Sequence, residues 1–330
     1  MTWASWRSKV PWRWILGAAV LGAVVWQTGT GPFVSGVRSL DARTLFLGAG
    51  IGVLTTVACA WRWHLVASGL GVAIRVPPAV ASYYRAQFLN TVLPGGVLGD
   101  VHRGVLHGRD TGDTGRALRA VAWERFAGQV VHVVLAMVVL LLLSSPVSPV
   151  MPEAIGLLAA VFLAGTLAAR WRWVVRTSWA GRVLGAVHDD LRFGLLVRRS
   201  WPGVVLASTV VVAGHVATYL VAARAVGVTT PLVTLLPLGV LVLVAAGLPL
   251  NFAGWGPREG MAAWAFAAAG LGAGQGVATA VAYGAMVFVA NLPGAVVLLA
   301  TSVRLRGERE LETRSTTRPA GTTTGGGSRA

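Results

Sequence analysis

Mostly apolar runs occupy residues 14–29, 44–66, 119–143, 154–170, 203–223 and 276–302. A helix needs about 20 such residues to cross a hydrocarbon core about 30 Å thick. Within that core the backbone has to satisfy its own hydrogen bonds, so runs of this kind fold as transmembrane helices. Charged residues make up only 12% of the chain, against about 25% in soluble domains. The expected fold is all-α: a polytopic transmembrane bundle of six to eight spans over residues 1–306, with one or two re-entrant or broken elements. Residues 307–330 are charged and then Thr/Gly-rich, and a composition of that kind is expected to stay disordered, as a cytoplasmic tail.

The net charge is +16, and Lys9 is the sole lysine, so arginine carries it. In a soluble protein such a balance points to nucleic acid. Here the arginines cluster beside apolar runs, as cytoplasmic loops of membrane proteins do. The expected partner is therefore the bilayer with its anionic headgroups, and no nucleic acid. The start has the outline of a signal peptide, with Arg7, Lys9 and Arg13 ahead of an apolar stretch. Trp12, Trp14 and Trp26 bracket that stretch and no clear small-residue cleavage site follows, so it reads as a retained first span. Charge placement puts both termini in the cytoplasm, in a multi-pass protein of the plasma membrane.

Some chemistries are disfavoured. Cys59 is the only cysteine, which rules out an intrachain disulfide and a cysteine metal cluster. The six histidines form no HExxH pattern, and no Walker motif is present. No metal, no cofactor and no direct use of ATP are expected, and the chain is not expected to be an enzyme.

Two regions do not fit simple spans. Segment 79–98 is short, contains Arg85, ends in LPGG, and has basic residues on both sides, Arg62 and Arg75 before it and Arg103, Arg109, Arg116 and Arg119 after. Both ends then face the cytoplasm, so the segment reads as re-entrant, which is viable only where protein or a wet cavity satisfies its backbone. Segments 232–248 and 259–273 are joined by LPLNFAGWGPRE and read either as two short spans or as a re-entrant hairpin from outside. Residues 181–199 place Leu184, Val187, Leu191 and Leu195 at helical spacing among charges. They read as an interfacial helix or a solvated connector.

The two odd regions share a pattern. LPGGVLGDVHR at 93–103 and LPLNFAGWGPR at 248–258 both fit L-P-x4-G-x3-R. The broken-helix turns are Pro94, Gly95, Gly96 and Gly99 in the first and Pro249, Gly254 and Gly256 in the second. Proline frees backbone groups and glycine permits sharp turns. Paired Gly/Pro-broken segments in two halves point to a site at the membrane midplane, and opposite entry sides would make the halves an inverted repeat. Coincidence between two loops in a chain with 42 glycines is the plainer alternative.

Charges inside the apolar part are the remaining signal. Asp100, Glu124 and Glu259 each need a partner or a wet cavity, since a mid-helix charge costs about 2.5–3.5 kcal/mol on insertion scales. Arg103 and Arg258 are close in sequence to Asp100 and Glu259. On a helical wheel Glu124, Arg125, Gly128, Gln129 and His132 fall within a wedge of roughly 140°. Glu124 and Arg125 could also simply snorkel to the interface. Ser208, His215 and Tyr219 share a face, as do Gln275, Thr279 and Tyr283, and Asn291 precedes an expected kink at Leu292-Pro293. The arginines could hold a phosphate in bidentate fashion, or only tie the turns to their acidic neighbours.

The stretch FLNTVLPGGVLGDVHR, then WERFAG, then LPLNFAGWGPREG resembles the lysylphosphatidylglycerol synthase transmembrane-domain family, also described as flippase-like. Asn90, Pro94, Gly95, Gly96, Gly99, Asp100 and Arg103 match its first motif. Glu124 and Arg125 match its second, and Pro249, Gly254, Gly256, Arg258 and Glu259 its third, with Ala253 where a glycine is expected. The aminoacylating members carry a soluble synthase domain after the membrane part, where residues 307–330 here are expected to be a short tail. The resemblance thus implies a unit that binds or flips a lipid, not one that modifies it. The expected ligand is a phospholipid or polyprenyl-linked lipid, with Asn90, Asp100, Arg103, Glu124, Arg125, His132, Arg258 and Glu259 along its headgroup path. The rival expectation is a membrane scaffold for a separately encoded lipid-modifying enzyme or glycosyltransferase.

Overall fold

A computed structural model describes residues 12–93, 96–150, 200–247 and 255–301, together with residues 152, 153, 156 and 190. Apart from residues 156 and 190, the expected span 154–170 and the helix expected at 181–199 lie outside the described residues, as does the tail at 307–330. So do four of the turn residues, Pro94, Gly95, Pro249 and Gly254.

The described residues form ten α-helices and no β-strand. These are α1 (Trp12–Thr28), α2 (Gly31–Arg38), α3 (Ala42–Gly69), α4 (Val76–Val92), α5 (Leu98–Thr111), α6 (Thr114–Leu142), α7 (Trp201–Ala225), α8 (Leu232–Ala246), α9 (Pro257–Ala268) and α10 (Ala273–Asn291). Local chemistry sets the helix starts. Asp41 accepts from the Thr44 N–H at 2.8 Å to open α3, and Asp113 accepts from the Arg116 N–H at 2.8 Å to open α6. Helix α10 gives way to a turn at Leu292 and helical residues resume over 293–301, the break expected before Pro293. Among the described residues, four helices are long and apolar enough to cross a membrane: α3, α6, α7 and the stretch Ala273–Thr301. Ala18–Thr28 and α8 are shorter apolar helices. Large apolar side chains such as Phe46, Leu142 and Leu299 point outward, while the interior is rich in alanine and polar groups. This is a helical membrane bundle, whose outer surface is built for lipid.

Helix α2 is absent from the sequence expectation, because eight residues carry no apolar run. It packs on α10 through Gly36, where a Cβ would lie 2.5 Å from the Ala278 carbonyl oxygen.

Helices α4 and α5 pack as a hairpin, which differs from the re-entrant element expected at 79–98. The second arm is α5, beyond that segment, in a stretch expected as basic and cytoplasmic, and its Asp100, Arg103 and His107 are buried. The two helices touch at Gly99, where a Cβ would lie 2.0 Å from the Ala86 carbonyl oxygen. Because the obstacle is backbone, Gly99→Ala is expected to destabilise the protein by about 1–3 kcal/mol through overpacking. Gly50→Ala in α3 meets nothing within 4 Å and serves as the control. Thermal unfolding in detergent checks the pair, and equal melting temperatures would contradict the close contact.

The two halves repeat one arrangement. A long helix, a short hairpin and a long helix occur as α3–α4–α5–α6 and again as α7–α8–α9–α10. Packing repeats too: α3 with α4 and α7 with α8, α5 with α6 and α9 with α10, α3 with α6 and α7 with α10. Between halves, α3 with α10 is matched by α7 with α6, and α4 with α10 by α8 with α6. Glycines fix the direction. Gly203 faces Leu65 and Trp61, while Gly214 faces Thr55 and Ile51, so the equivalent helices α3 and α7 run antiparallel. Equivalent helices that run antiparallel are related by an axis across them, which makes the repeat an inverted one.

Candidate functional site

Between the halves lies a cavity of about 690 Å³. It is walled by mid-length residues of α3, α6 and α7, by the ends of α4 and α8, and by α10. Its polar lining comprises Arg62, Gln87, Asn90, Arg125, Gln129, His132, His215, Arg258, Tyr283 and Asn291 among others. Three guanidiniums face it, and no carboxylate does among the described residues.

The carboxylates stand one layer back. Glu124 is fully buried and neutralises two arginines, with Arg62 Nε at 2.7 Å and Arg103 Nη2 at 2.6 Å. The Tyr83 hydroxyl donates to the same carboxylate at 3.1 Å. Arg103 also donates to Asp100 Oδ1 at 2.9 Å, and Arg125 donates to Asp100 Oδ2. Asn90 ties the hairpin to this network. Its Nδ2 donates to Asp100 at 2.8 Å and its Oδ1 accepts from the Gly99 N–H at 2.8 Å. In the second half, Arg258 donates to Glu259 Oε1 at 2.8 Å from Nε, and Glu259 Oε2 accepts from the Gly256 N–H at 2.8 Å. Glu259 therefore caps the start of α9 as well as pairing with Arg258. Gly256 has φ of +123°, a backbone conformation that glycine accepts readily.

The motif arginines thus differ in position. Arg103 is enclosed, its guanidinium 4.5 Å from the Trp63 ring and 4.3 Å from the Tyr83 ring, and it does not line the cavity. Arg258 lies 5.8 Å from Trp255 and 5.5 Å from Tyr283 and does line it. Of the expected path residues, Asn90, Arg125, His132 and Arg258 border the cavity, whereas Asp100, Arg103, Glu124 and Glu259 form its supporting layer. Gly96 borders it too, with φ of +62°. The snorkelling alternative for Glu124 fails, because its side chain is closed off inside the bundle. The Arg125 side chain is 46% exposed, and its open side belongs to the cavity wall.

Sequence reasoning treated Arg62 as an interfacial residue at the end of a span. It is buried, paired with Glu124, and donates to Ser208 Oγ at 3.1 Å. A partial signal existed, since an arginine inside the apolar run 44–66 needs either an acidic partner or reach to the interface. Of the two polar faces, His215 and Tyr283 meet across the cavity at 2.9 Å, and Ser208 lines it. Thr279 instead satisfies its hydroxyl on the Gln275 carbonyl at 2.9 Å. His132 Nε2 is buried with no hydrogen-bond partner among the described residues.

Glycines seat two of the cavity arginines. A Cβ on Gly128 of α6 would lie 2.4 Å from Arg62 Nη1, and one on Gly284 of α10 would lie 2.3 Å from Arg258 Nη2. Helices α6 and α10 are equivalent in the repeat, so each half uses a glycine to admit a guanidinium to the cavity wall. Among the described residues, four arginines of this cluster face three carboxylates, which leaves one positive charge in excess.

No match to the chain is found among curated proteins or among solved structures. Residues 13–294 match the family described as lysylphosphatidylglycerol synthase TM region. That match spans all ten helices except the first residue of α1, and it includes every residue of the charged cluster. This membrane protein belongs to the lysylphosphatidylglycerol synthase transmembrane-region family.

Proposed function

We propose that the protein binds the phosphate-bearing headgroup of a phospholipid or polyprenyl-linked lipid in the central cavity and moves it across the plasma membrane, without covalent chemistry on the lipid. The observation that carries this reading is the cavity wall, on which Arg62, Arg125 and Arg258 converge with no carboxylate among the described residues. An excess positive charge in a low-dielectric interior is costly on its own. A phosphate relieves it and gains charge-assisted hydrogen bonds. The inverted repeat supplies a second support, because two related hairpins meet one site from opposite sides of the bundle. Both termini lie on the cytoplasmic face in this reading.

The test is lipid translocation in proteoliposomes carrying a fluorescent phospholipid. Wild-type protein is expected to move it faster than protein-free vesicles do. Arg125→Gln is expected to slow it about tenfold or more, the loss of roughly one charge-assisted hydrogen bond to the headgroup. Arg125 is chosen because its side chain is partly open to the cavity, so the change weighs less on folding than one at Arg62. Wild-type rates equal to those of protein-free vesicles would sink translocation as the function.

A further inference from the structure

Beside the central cavity lies a smaller one of about 360 Å³, bounded by Phe33, Val34, Val37, Arg38, Trp255 and Val281. Five of these six are apolar and the sixth is a cation. Val37, Trp255 and Val281 also line the central cavity, so the two spaces share a wall. The groove is a built feature of the fold. Helix α2 is held against α10 by the Gly36 contact with the Ala278 carbonyl. The Phe33 ring lies 6.2 Å from the Trp255 ring. Trp255 in turn faces the Arg258 guanidinium at 5.8 Å, which links the groove wall directly to the charged site. On its open side Val34 is 47% and Val37 54% exposed.

An apolar slot joined to a cationic cavity, with an arginine at its rim, matches the shape of one kind of molecule. A lipid has an anionic head and an apolar chain, joined within a few bonds. We propose that this groove holds an acyl chain of the lipid while its headgroup occupies the central cavity, so that α2 and Trp255 form a lateral portal. Trp255 is the partition, with its ring touching chain on one side and backing the phosphate-binding Arg258 on the other. Arg38, in the last turn of α2, meets the phosphate as it approaches from the bilayer. The position of α2 suits this role, since it joins the end of α1 to the start of α3 and packs on α10 beside the central cavity. A chain in the groove stays among apolar side chains throughout, and only the headgroup enters the polar space.

This inference rests on the headgroup reading, and the test separates the two. Dioleoyl phosphatidic acid and glycerol 3-phosphate share a phosphate headgroup and differ in their chains. Val34 lines the groove but not the central cavity, so Val34→Trp fills the slot alone. Binding of both ligands to purified full-length protein is measured by calorimetry. Val34→Trp is expected to weaken the long-chain lipid about tenfold and to leave glycerol 3-phosphate unchanged. A second readout does not depend on that bulky variant. Val34→Cys in a Cys59→Ala background, since Cys59 lines the central cavity, is labelled by a thiol reagent; the long-chain lipid is expected to slow labelling and glycerol 3-phosphate to have no effect. If wild type binds both ligands and neither variant discriminates between them, the groove assignment falls and the cavity reading stands. Equal loss of both ligands in Val34→Trp likewise overturns the groove. If wild type binds neither ligand, the cavity reading fails and takes the groove with it.

Discussion

Glu124→Gln is expected to lower stability by about 3–5 kcal/mol, the range seen when one partner of a buried ion pair is removed. Gln keeps the shape of the side chain, so the loss is one of charge and not of packing. Glu124 pairs with both Arg62 and Arg103, and none of its surface reaches solvent. In its own half, three arginines share two carboxylates, Asp100 and Glu124. Removing one carboxylate leaves three guanidiniums to a single acid in a medium that solvates neither. Arg103 cannot escape, because Trp63 and Tyr83 enclose it. Thermal unfolding of the purified protein in detergent reads the effect. A double-variant cycle sharpens it, with Glu124→Gln and Arg62→Gln together expected to cost less than the sum of the two alone. A Glu124→Gln protein that melts with wild type would show that this carboxylate does not hold the cluster together.

The same cluster shows where sequence is informative and where it stops. Apolar run length located α3, α6, α7 and α10, because crossing a bilayer demands about 20 apolar residues and little else. The L-P-x4-G-x3-R pattern marked both regions as breaks in the chain, since Pro and Gly act locally on the backbone. It did not mark the helices that follow each break or how they pack, which depend on contacts far away in sequence. Asp100, Glu124 and Glu259 stood out because a carboxylate in an apolar run always needs an explanation. Arg62 did not, because an arginine near the end of a run can reach the interface by snorkelling. What decides its position is Glu124 on α6 and Ser208 on α7, each far away in sequence. The glycines that seat the arginines, Gly128 and Gly284, are two among 42. Nothing local distinguishes them; they gain meaning only when α3 meets α6 and α9 meets α10. The motif equivalence of Arg103 and Arg258 also hides a division of labour. One is spent inside the network and the other stands at the cavity wall, because Asp100 and Glu124 both reach Arg103 while, among the described residues, Arg258 pairs with Glu259 alone.

That division predicts the larger functional effect for the second half. Arg258→Ala is expected to slow lipid translocation about 10- to 100-fold, the loss of a charge-assisted hydrogen bond worth about 1.5–3 kcal/mol. Stability also falls, since among the described residues Glu259 keeps only the Gly256 N–H and becomes a buried carboxylate without its cation. A slow protein could therefore be merely an unstable one. Gly284→Ala separates the two causes. Its new methyl would meet the guanidinium end of Arg258, a flexible tip that can move aside without shifting the backbone. The Arg258–Glu259 charges remain, so the melting temperature is expected to stay close to wild type. The guanidinium, however, is pushed from its seat in the cavity wall, and translocation is expected to fall about tenfold, equivalent to about 1.4 kcal/mol. Arg258→Lys keeps the charge but not the paired N–H donors, and is expected to fall between wild type and Arg258→Ala. If Arg258→Ala and Gly284→Ala both translocate lipid at the wild-type rate, the second-half arginine lies off the path, and the cavity must then work through Arg62 and Arg125 alone.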